Sequence, residues 1–541
     1  MATETRSSPA AAGTDSERTY LLCFSNELTE FREPELRAVL SLLGLTAHWT
    51  DSVTATPYLE VRLASEADAR RLAQRTVAVK SCLELWAAAD SEEELHRQLR
   101  QRLLDHPDTM LPHFGPETSF KVNVESFNRT LSHEAKVARV ESFDYLPLEG
   151  PVRLRRPDLR LDAIEYYGLD PNRVPERPLR LFFGRWLCDG PRAAIKAHSL
   201  KTRAYIGNTS MDPELALIMA NMARVRSGDT VYDPFVGTGS LLVAASHFGG
   251  HVLGTDIDYL TVHARTRPSR VQERGRRRGA GESIAANLRQ YGLQSRLLDV
   301  LVADAALPAL WRRGVTVDAI ITDPPYGIRE PTERVGSARP SGGAIPAQHR
   351  AAHFPSKVAY GPGALFGDLL RLAADRLTLG GRLVFWLPVT RAQYSADRLP
   401  SHPCLRLVAN SEQTLTARAS RRLLTLEKWR EPGNGDAATV HTSVDRFVSD
   451  YFSSGFAEDG GNGDRETTTD AGDDAVDAEL ARLEAAGCRA EQLPLYIDAL
   501  HGYNEIKDAA QLVMGRIAEL DGVTVRSVHQ RYECLPPAER Q

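Results

Sequence analysis

The chain has 541 residues, of which 42% are hydrophobic and 25% charged, and a net charge of −5. That length predicts about three or four domains, and the composition is that of globular protein with apolar residues enough for large cores. No apolar run approaches the ~18 residues of a membrane-spanning helix, and the mildly acidic balance means that any grip on nucleic acid must come from a local basic patch.

Met1 to Ser16 is rich in Ala, Ser, Thr and acidic residues. It lacks the basic start and apolar stretch of a signal peptide and is expected to be a disordered tail. The cysteines Cys23, Cys82, Cys188, Cys404, Cys488 and Cys534 are scattered, with no C-x-x-C pair. That spacing argues against a disulfide framework or a zinc ribbon and for a reducing compartment, cytoplasm or nucleus.

Tyr20 to Phe24 predicts a strand, Glu33 to Leu42 a helix, Tyr58 to Leu63 a strand and Glu66 to Gln74 a helix, giving a small α+β domain over 18–95. A second unit, 96–200, is expected to contain strands at Phe120–Val124 and Leu179–Trp186 and an extended stretch over Val152–Leu161. From Pro213 the chain alternates regularly. Strands are predicted at Thr230–Tyr232, His251–Gly254, Leu297–Val302, Val317–Ile321 and Arg382–Leu387, and helices at Leu241–His247, Ser283–Tyr291 and Ala364–Leu377. Such alternation is the pattern of a parallel sheet covered by helices. The stretch 431–477 is Gly-, Asp- and Thr-rich, broken by an apolar island around Phe447 to Phe452, and is expected to be a flexible linker. Beyond it, 478–541 is again apolar-periodic.

Asp233-Pro234-Phe235-Val236-Gly237-Thr238-Gly239-Ser240 falls between a predicted strand and a predicted helix. Glycines there let the backbone turn tightly and approach a ligand; a plain strand-to-helix turn is the alternative. Two further carboxylates favour a nucleotide-like ligand. Asp256, at the end of the next strand, can accept ribose hydroxyls, and Asp304, after the third, can meet an adenine amino group. No Gly-Lys-Ser/Thr follows the loop, so a phosphate cradle is disfavoured.

Thr322-Asp323-Pro324-Pro325-Tyr326-Gly327 ends the fourth predicted strand. The prolines stiffen the strand end. A nucleobase amino nitrogen is a poor nucleophile because its lone pair is delocalised. Accepting its two N–H groups, one on Asp323 and one on the Pro324 carbonyl, favours the pyramidal, nucleophilic form, while Tyr326 stacks on the base and aligns it with a methyl sulfonium. An edge turn with a stacked aromatic is the alternative. Pyrimidine C5 chemistry would need a cysteine at this strand end, and no metal-ligand spacing is visible.

These blocks, with Gly207-Asn208-Thr209-Ser210-Met211-Asp212, Asn287 to Leu293 and Ser420-Arg421-Arg422-Leu423-Leu424, resemble the tRNA (guanine-10-N2)-methyltransferase family over about residues 18–430. The resemblance implies a ferredoxin-like N-terminal domain, a THUMP domain over 96–200 that captures the tRNA acceptor end, and a Rossmann-like methyltransferase domain over 201–430. It also implies S-adenosylmethionine, the product N2-methylguanosine, and a small zinc-binding activator subunit. Asp233, Phe235, Gly237, Gly239, Asp256, Asp304 and Asp323 would then hold the cofactor, and Asp323, Pro324 and Tyr326 the guanine. Arg265, Arg267, Arg270, Arg274 and Arg276 to Arg278, in an insertion, are candidate phosphate contacts or a solvated loop.

Leu500-His501-Gly502-Tyr503-Asn504-Glu505-Ile506-Lys507-Asp508 resembles the small Swi-five DNA-repair family, whose members pair with a partner to assist recombinases. Ile506, Ala510, Val513, Ile517 and Leu520 form a helical stripe suited to a partner helix. Two rival readings are an amino-methyltransferase for DNA or protein glutamine, and a non-catalytic repair scaffold. The overall expectation is an α/β chain in which a ferredoxin-like/THUMP region precedes the methyltransferase domain and a linker and helical module follow it.

Overall fold

The structure is a computed structural model that describes residues 18–266, 278–279, 281–307, 310–312, 314–328, 330–336, 356–441 and 444–447. The N-terminal lobe runs through β1 (Arg18–Phe24), α1 (Thr29–Leu43), β2 (Tyr58–Leu63), α2 (Glu66–Arg75), β3 (Val79–Ala89), α3 (Glu92–Asp105), α4 (Pro107–Met110), β4 (Phe120–Phe127), α5 (His133–Glu141), β5 (Leu159–Tyr166), β6 (Arg180–Asp189) and α6 (Ala193–Ala197). Its strands form one six-stranded sheet in the order β2-β1-β3-β6-β5-β4, with only β4 and β5 parallel. The expected boundary near residue 95 therefore falls within a lobe that one sheet crosses, since β3 pairs with β1 on one side and β6 on the other.

β3 was not expected. Its residues are buried almost continuously rather than alternately, as in a central strand covered on both faces, so a period of two is missing. α3 was also not expected, although Ser91 caps it by accepting the Glu94 N–H and Leu95 and Leu99 face the core. The stretch Val152–Leu161 is not extended throughout. Pro151 and Pro157 cannot donate to a ladder and Arg156 has φ 50°, so the strand begins only at Leu159.

The second lobe contains α7 (Pro213–Met222), β7 (Thr230–Asp233), α8 (Ser240–His247), β8 (His251–Asp256), α9 (Tyr259–Val262), α10 (Ile284–Gln290), β9 (Leu297–Val302), β10 (Val317–Thr322), β11 (Glu333–Val335), β12 (Lys357–Ala359), α11 (Pro362–Arg376), β13 (Leu377–Thr390), β14 (Leu405–Thr414) and β15 (Ala419–Lys428). The sheet order is β14-β15-β13-β10-β7-β8-β9. Strands β9 to β13 run parallel through β8, β7 and β10, and β15 and β14 close the other edge as an antiparallel pair. From β7 the chain proceeds outward to β8 and β9, then returns to β10 on the opposite side. The crevice between the carboxyl ends of β7 and β10 is thus a switch point, where open α/β sheets bind ligands.

The two lobes share a core. Phe31 of α1 and Val77 lie in the same buried cluster as Trp386 and the helices α7 and α8. Buried Glu35 accepts the N–H groups of Val77 (2.8 Å) and Ala78 (2.9 Å) and Asn221 Nδ2 (2.6 Å). Arg75 donates to Asn221 Oδ1 (2.6 Å) and the Val225 carbonyl (2.7 Å), so both charged residues of the N-terminal lobe are committed to α7 and its exit. Burial pushes the Glu35 carboxyl up to about 7.

The stretch from Glu431, expected to begin a flexible linker, is instead anchored as far as Phe447. Thr439 pairs with Ser401, Arg430 forks onto Asp436 at 2.7 and 2.9 Å, Asp445 accepts the Gly363 N–H at 2.7 Å, and Val444 and Phe447 are buried. Residues 448–541, with the rest of the expected linker and the helical stripe, lie outside the described residues; Ala457–Gln541 is a unit separate from Met1–Phe456.

Candidate active site

Four strand ends deliver the site. β7 runs into Asp233, and the chain turns through Gly237 (φ 48°) and Gly239 (φ 79°) before α8 begins. Both glycines occupy left-handed backbone, where a side chain is strained. A Cβ on Gly239 would also lie 2.7 Å from Ile284 Cγ2, whereas the space beside Gly237 is open. Gly239 thus serves the packing of α8, and Gly237 leaves a free approach to the backbone.

Asp256, at the end of β8, accepts the Gly237 N–H at 2.9 Å and the Asp258 N–H at 2.9 Å, one on each oxygen. Each oxygen has room for a second donor, which suits a ribose diol. Burial raises the Asp256 carboxyl, and the two backbone donors oppose that. Asp304, beyond β9, accepts the Ala306 N–H at 2.9 Å and the Val335 N–H of β11 at 2.8 Å. Phe235, Ile257, Ala303, Ala306 and Leu365 line an apolar recess beside it. The apolar recess, the open glycine and the diol acceptor fit an adenosyl group. Such a cofactor would supply an electrophilic methyl on sulfur; Gly237 and Asp256 would hold its ribose side and Phe235 and Asp304 its adenine.

Asp233 departs from its expected role. Its side chain is 2% exposed, and its Oδ1 accepts the Thr322 hydroxyl at 2.6 Å and the Phe235 N–H at 3.1 Å. It fastens the end of β10 to the start of the glycine loop instead of opening toward the crevice. Burial pushes it up to about 7, with the neighbouring Asp256 and Asp323 adding to the rise.

At the end of β10, Pro324 is buried and Asp323 is partly exposed. The Tyr326 hydroxyl donates to Asp323 Oδ1. Arg421 of β15 reaches Asp323 Oδ2 at 3.4 Å and the Tyr326 hydroxyl at 3.3 Å. Burial raises the Asp323 carboxyl, and the Arg421 charge and Tyr326 hydroxyl oppose the rise. Tyr326 therefore meets the carboxylate as well as bordering the crevice, a contact that stacking alone did not predict. Arg421 was visible in the Ser420–Leu424 run, but nothing in its spacing tied it to Asp323.

The other motif blocks support the loop. Ser210 accepts the Gly207 N–H at 2.9 Å and bonds Thr238 at 2.6 Å, while Asp212 caps α7 through the Glu214 (2.8 Å) and Leu215 (3.2 Å) N–H groups. Asn287, fully buried, bonds the Tyr205 backbone in both directions at 2.7 and 2.8 Å. Of the insertion arginines, Arg278 does not face outward: its side chain is 5% exposed and it donates to the Thr266 carbonyl, the Ile206 carbonyl and Glu282. Arg265 is exposed, beside Tyr259. The remaining five lie outside the described residues.

Residues 18–192 match the family described as Tmrp11 THUMP N-terminal domain, and residues 201–338 the RMKL-like methyltransferase domain. The chain is 46% identical over 436 residues to the tRNA (guanine(10)-N(2))-methyltransferase TRMT11 of Rattus norvegicus, spanning 80% of this chain and 91% of that protein. The chain belongs to the TRMT11 family. The Homo sapiens member is 45% identical over 437 residues, again across 80% of this chain and 92% of its own length. Among solved structures, TrmN from Thermus thermophilus is similar at a TM-score of 0.39 and 20% identity, covering 76% of this chain and 99% of that one. Within the TRMT11 family framework the N-terminal lobe is the THUMP region and the second lobe the Rossmann-like methyltransferase core. Residues 467–535 match the Swi5 family and lie outside the described residues.

Proposed function

We propose that this chain transfers a methyl group from S-adenosylmethionine to the exocyclic N2 of guanosine 10 in tRNA. The observation that carries the reading is the pairing of near full-length similarity to the TRMT11 proteins with Asp323 at the β7/β10 switch point. The residues present suit that chemistry. Asp323 and the Pro324 carbonyl, on a backbone stiffened by two prolines, can accept the two N–H groups of the base and localise its lone pair. The recess at Asp304 and the diol acceptor Asp256 would hold the cofactor. The test is mass spectrometry of nucleosides from tRNA incubated with the protein, its activator subunit and isotopically labelled cofactor. Labelled N2-methylguanosine is the expected nucleoside, with the label in the ribonuclease fragment that contains position 10; label in another nucleoside would replace the reading.

The reading includes a small zinc-binding activator subunit. What supports a partner chain is the outer edge of the sheet: among the described residues β9 is an edge strand, and its Leu298, Leu301 and Val302 are 54%, 39% and 37% exposed. An apolar edge of this kind offers itself for pairing with another chain. For the C-terminal segment the reading is a recombination-accessory module that pairs with a helical partner, supported by the Swi5 match over 467–535. Pull-down with residues 457–541 tests that part independently of methyl transfer.

A further inference from the structure

Each of the three guanidinium nitrogens of Arg421 is directed at a different part of the site. Its Nε donates to Gln413 Oε1 on β14 at 2.8 Å, Nη1 reaches Asp323 Oδ2 at 3.4 Å and the Tyr326 hydroxyl at 3.3 Å, and Nη2 points to Met211 Sδ at 3.9 Å. The guanidinium carbon lies 4.1 Å from the centroid of the Trp386 ring, on β13. The side chain is 14% exposed. Four separate segments, β13, β14, the block at 207–212 and the end of β10, are thus gathered on one planar cation.

From this geometry we infer that Arg421 is a positioning residue for methyl transfer, holding Asp323 and Tyr326 in the arrangement that receives the amino group. The inference rests on the amino-methyl-transfer reading above. The firm bonds of Arg421 are to Gln413 and to the Trp386 face, which fix where the fork points. Its contacts with the Asp323 carboxylate and the neutral Tyr326 hydroxyl are long for hydrogen bonds from a guanidinium. At those lengths the guanidinium supplies charge and direction without saturating Asp323 Oδ2, so that oxygen can still take an N–H from a base.

The charge has a second effect. Asp323 sits in a site whose burial favours the neutral acid, and a protonated carboxyl is a weaker acceptor for the amino group. The groups that face it among the described residues are Arg421 from β15, Tyr326 from its own loop and Asp233 at the end of β7. Only Arg421 is cationic. A lysine would keep the charge but could not span Gln413, Trp386 and the carboxylate with one planar group.

Arg421→Gln and Arg421→Lys in the full-length protein test the assignment. For Arg421→Gln the expected result is a roughly 10- to 100-fold slower single-turnover methyl transfer, cofactor affinity within about twofold, and an acidic limb of the rate profile moved up by about one pH unit. Arg421→Lys should return the acidic limb to its wild-type position and recover only part of the rate. The ionisation of Asp323 can also be followed without turnover, from the 13C-aspartate carboxyl signal that disappears in Asp323→Asn. That signal should titrate about one unit higher in Arg421→Gln. A signal that titrates as in wild type overturns the inference, whatever happens to the rate. Because the titration uses no tRNA, it decides the role of Arg421 even if the wild-type protein proves to act on another substrate.

Discussion

The ring of Phe31, on the first helix of the N-terminal lobe, meets that of Trp386, in the fifth parallel strand of the catalytic sheet, at 5.9 Å between centroids and 57° between planes. Both side chains are essentially fully buried. Trp386 is also the ring under Arg421. The lobe expected to hold tRNA is therefore in contact, through one aromatic ring, with the cation that faces Asp323. Aromatic burial and ring contact together make this a strong junction.

Phe31→Ala is expected to destabilise the Met1–Phe456 unit by about 3–5 kcal/mol, the usual cost of emptying a buried phenylalanine site. Chemical denaturation of the variant checks this. Methyl transfer at a temperature where the variant stays folded should also fall, because Trp386 loses its backing. A fall in stability with no change in transfer would separate the junction from the site.

Asp323→Ala is expected to slow methyl transfer by about two to four orders of magnitude, corresponding to roughly 3–5 kcal/mol of transition-state stabilisation, with a far smaller loss of cofactor affinity. Single-turnover transfer and calorimetry on the same preparation distinguish the two effects. Near wild-type transfer would remove Asp323 from the chemistry.

Asp256→Ala should act on binding first. The carboxylate holds the Gly237 N–H and offers the ribose acceptor, so the variant is expected to lose about 1.5–3 kcal/mol of cofactor affinity, roughly 10- to 100-fold. Calorimetric titration with S-adenosylmethionine or its demethylated product is the measurement, and an unchanged affinity would place the ribose elsewhere.

His198 gives a pH prediction. It is 5% exposed, its Nε2 lies 3.2 Å from His247 Nδ1, and burial, then His247, then Arg203 lower it to about 4. A histidine whose folded value is depressed below 6.5 stabilises the fold fully above 6.5, and that contribution is lost as pH falls toward 4. Unfolding free energy should decline over that window by about 3 kcal/mol on this account, and His198→Phe should flatten the decline. Guanidinium melts between pH 7 and 4 read both slopes.

Two truncations distinguish the anchored segment from the separate C-terminal unit. Ending the chain at Phe456 should leave methyl transfer and thermal stability of the catalytic unit unchanged, since Ala457–Gln541 is a unit of its own. Ending it after Gly435 removes Asp436, Thr439, Val444 and Phe447 and is expected to lower the melting temperature by several degrees, through the lost Arg430–Asp436 fork and two buried side chains. Equal melting curves for the two would show that the segment contributes nothing to the fold.

What the sequence determined by itself is local. The β7 strand, the glycine loop and α8 are contiguous, and the need for positive φ at Gly237 and Gly239 is written in residue type. The Asp323-Pro324-Pro325-Tyr326 end of β10 and the acids Asp256 and Asp304 after neighbouring strands were legible for the same reason: parallel α/β alternation brings successive strand ends to one edge. The tertiary structure alone decided which of those acids opens to the crevice. Asp233 is turned inward by Thr322, a partner 89 positions away, and no periodicity carries that pairing. It also decided that Arg421, 98 positions beyond Asp323, returns on an antiparallel strand to face it, and that Val444 and Phe447, in a stretch whose composition suggests a linker, have a surface to bury against. Composition records what a segment can bury; only the folded chain supplies the surface that it meets.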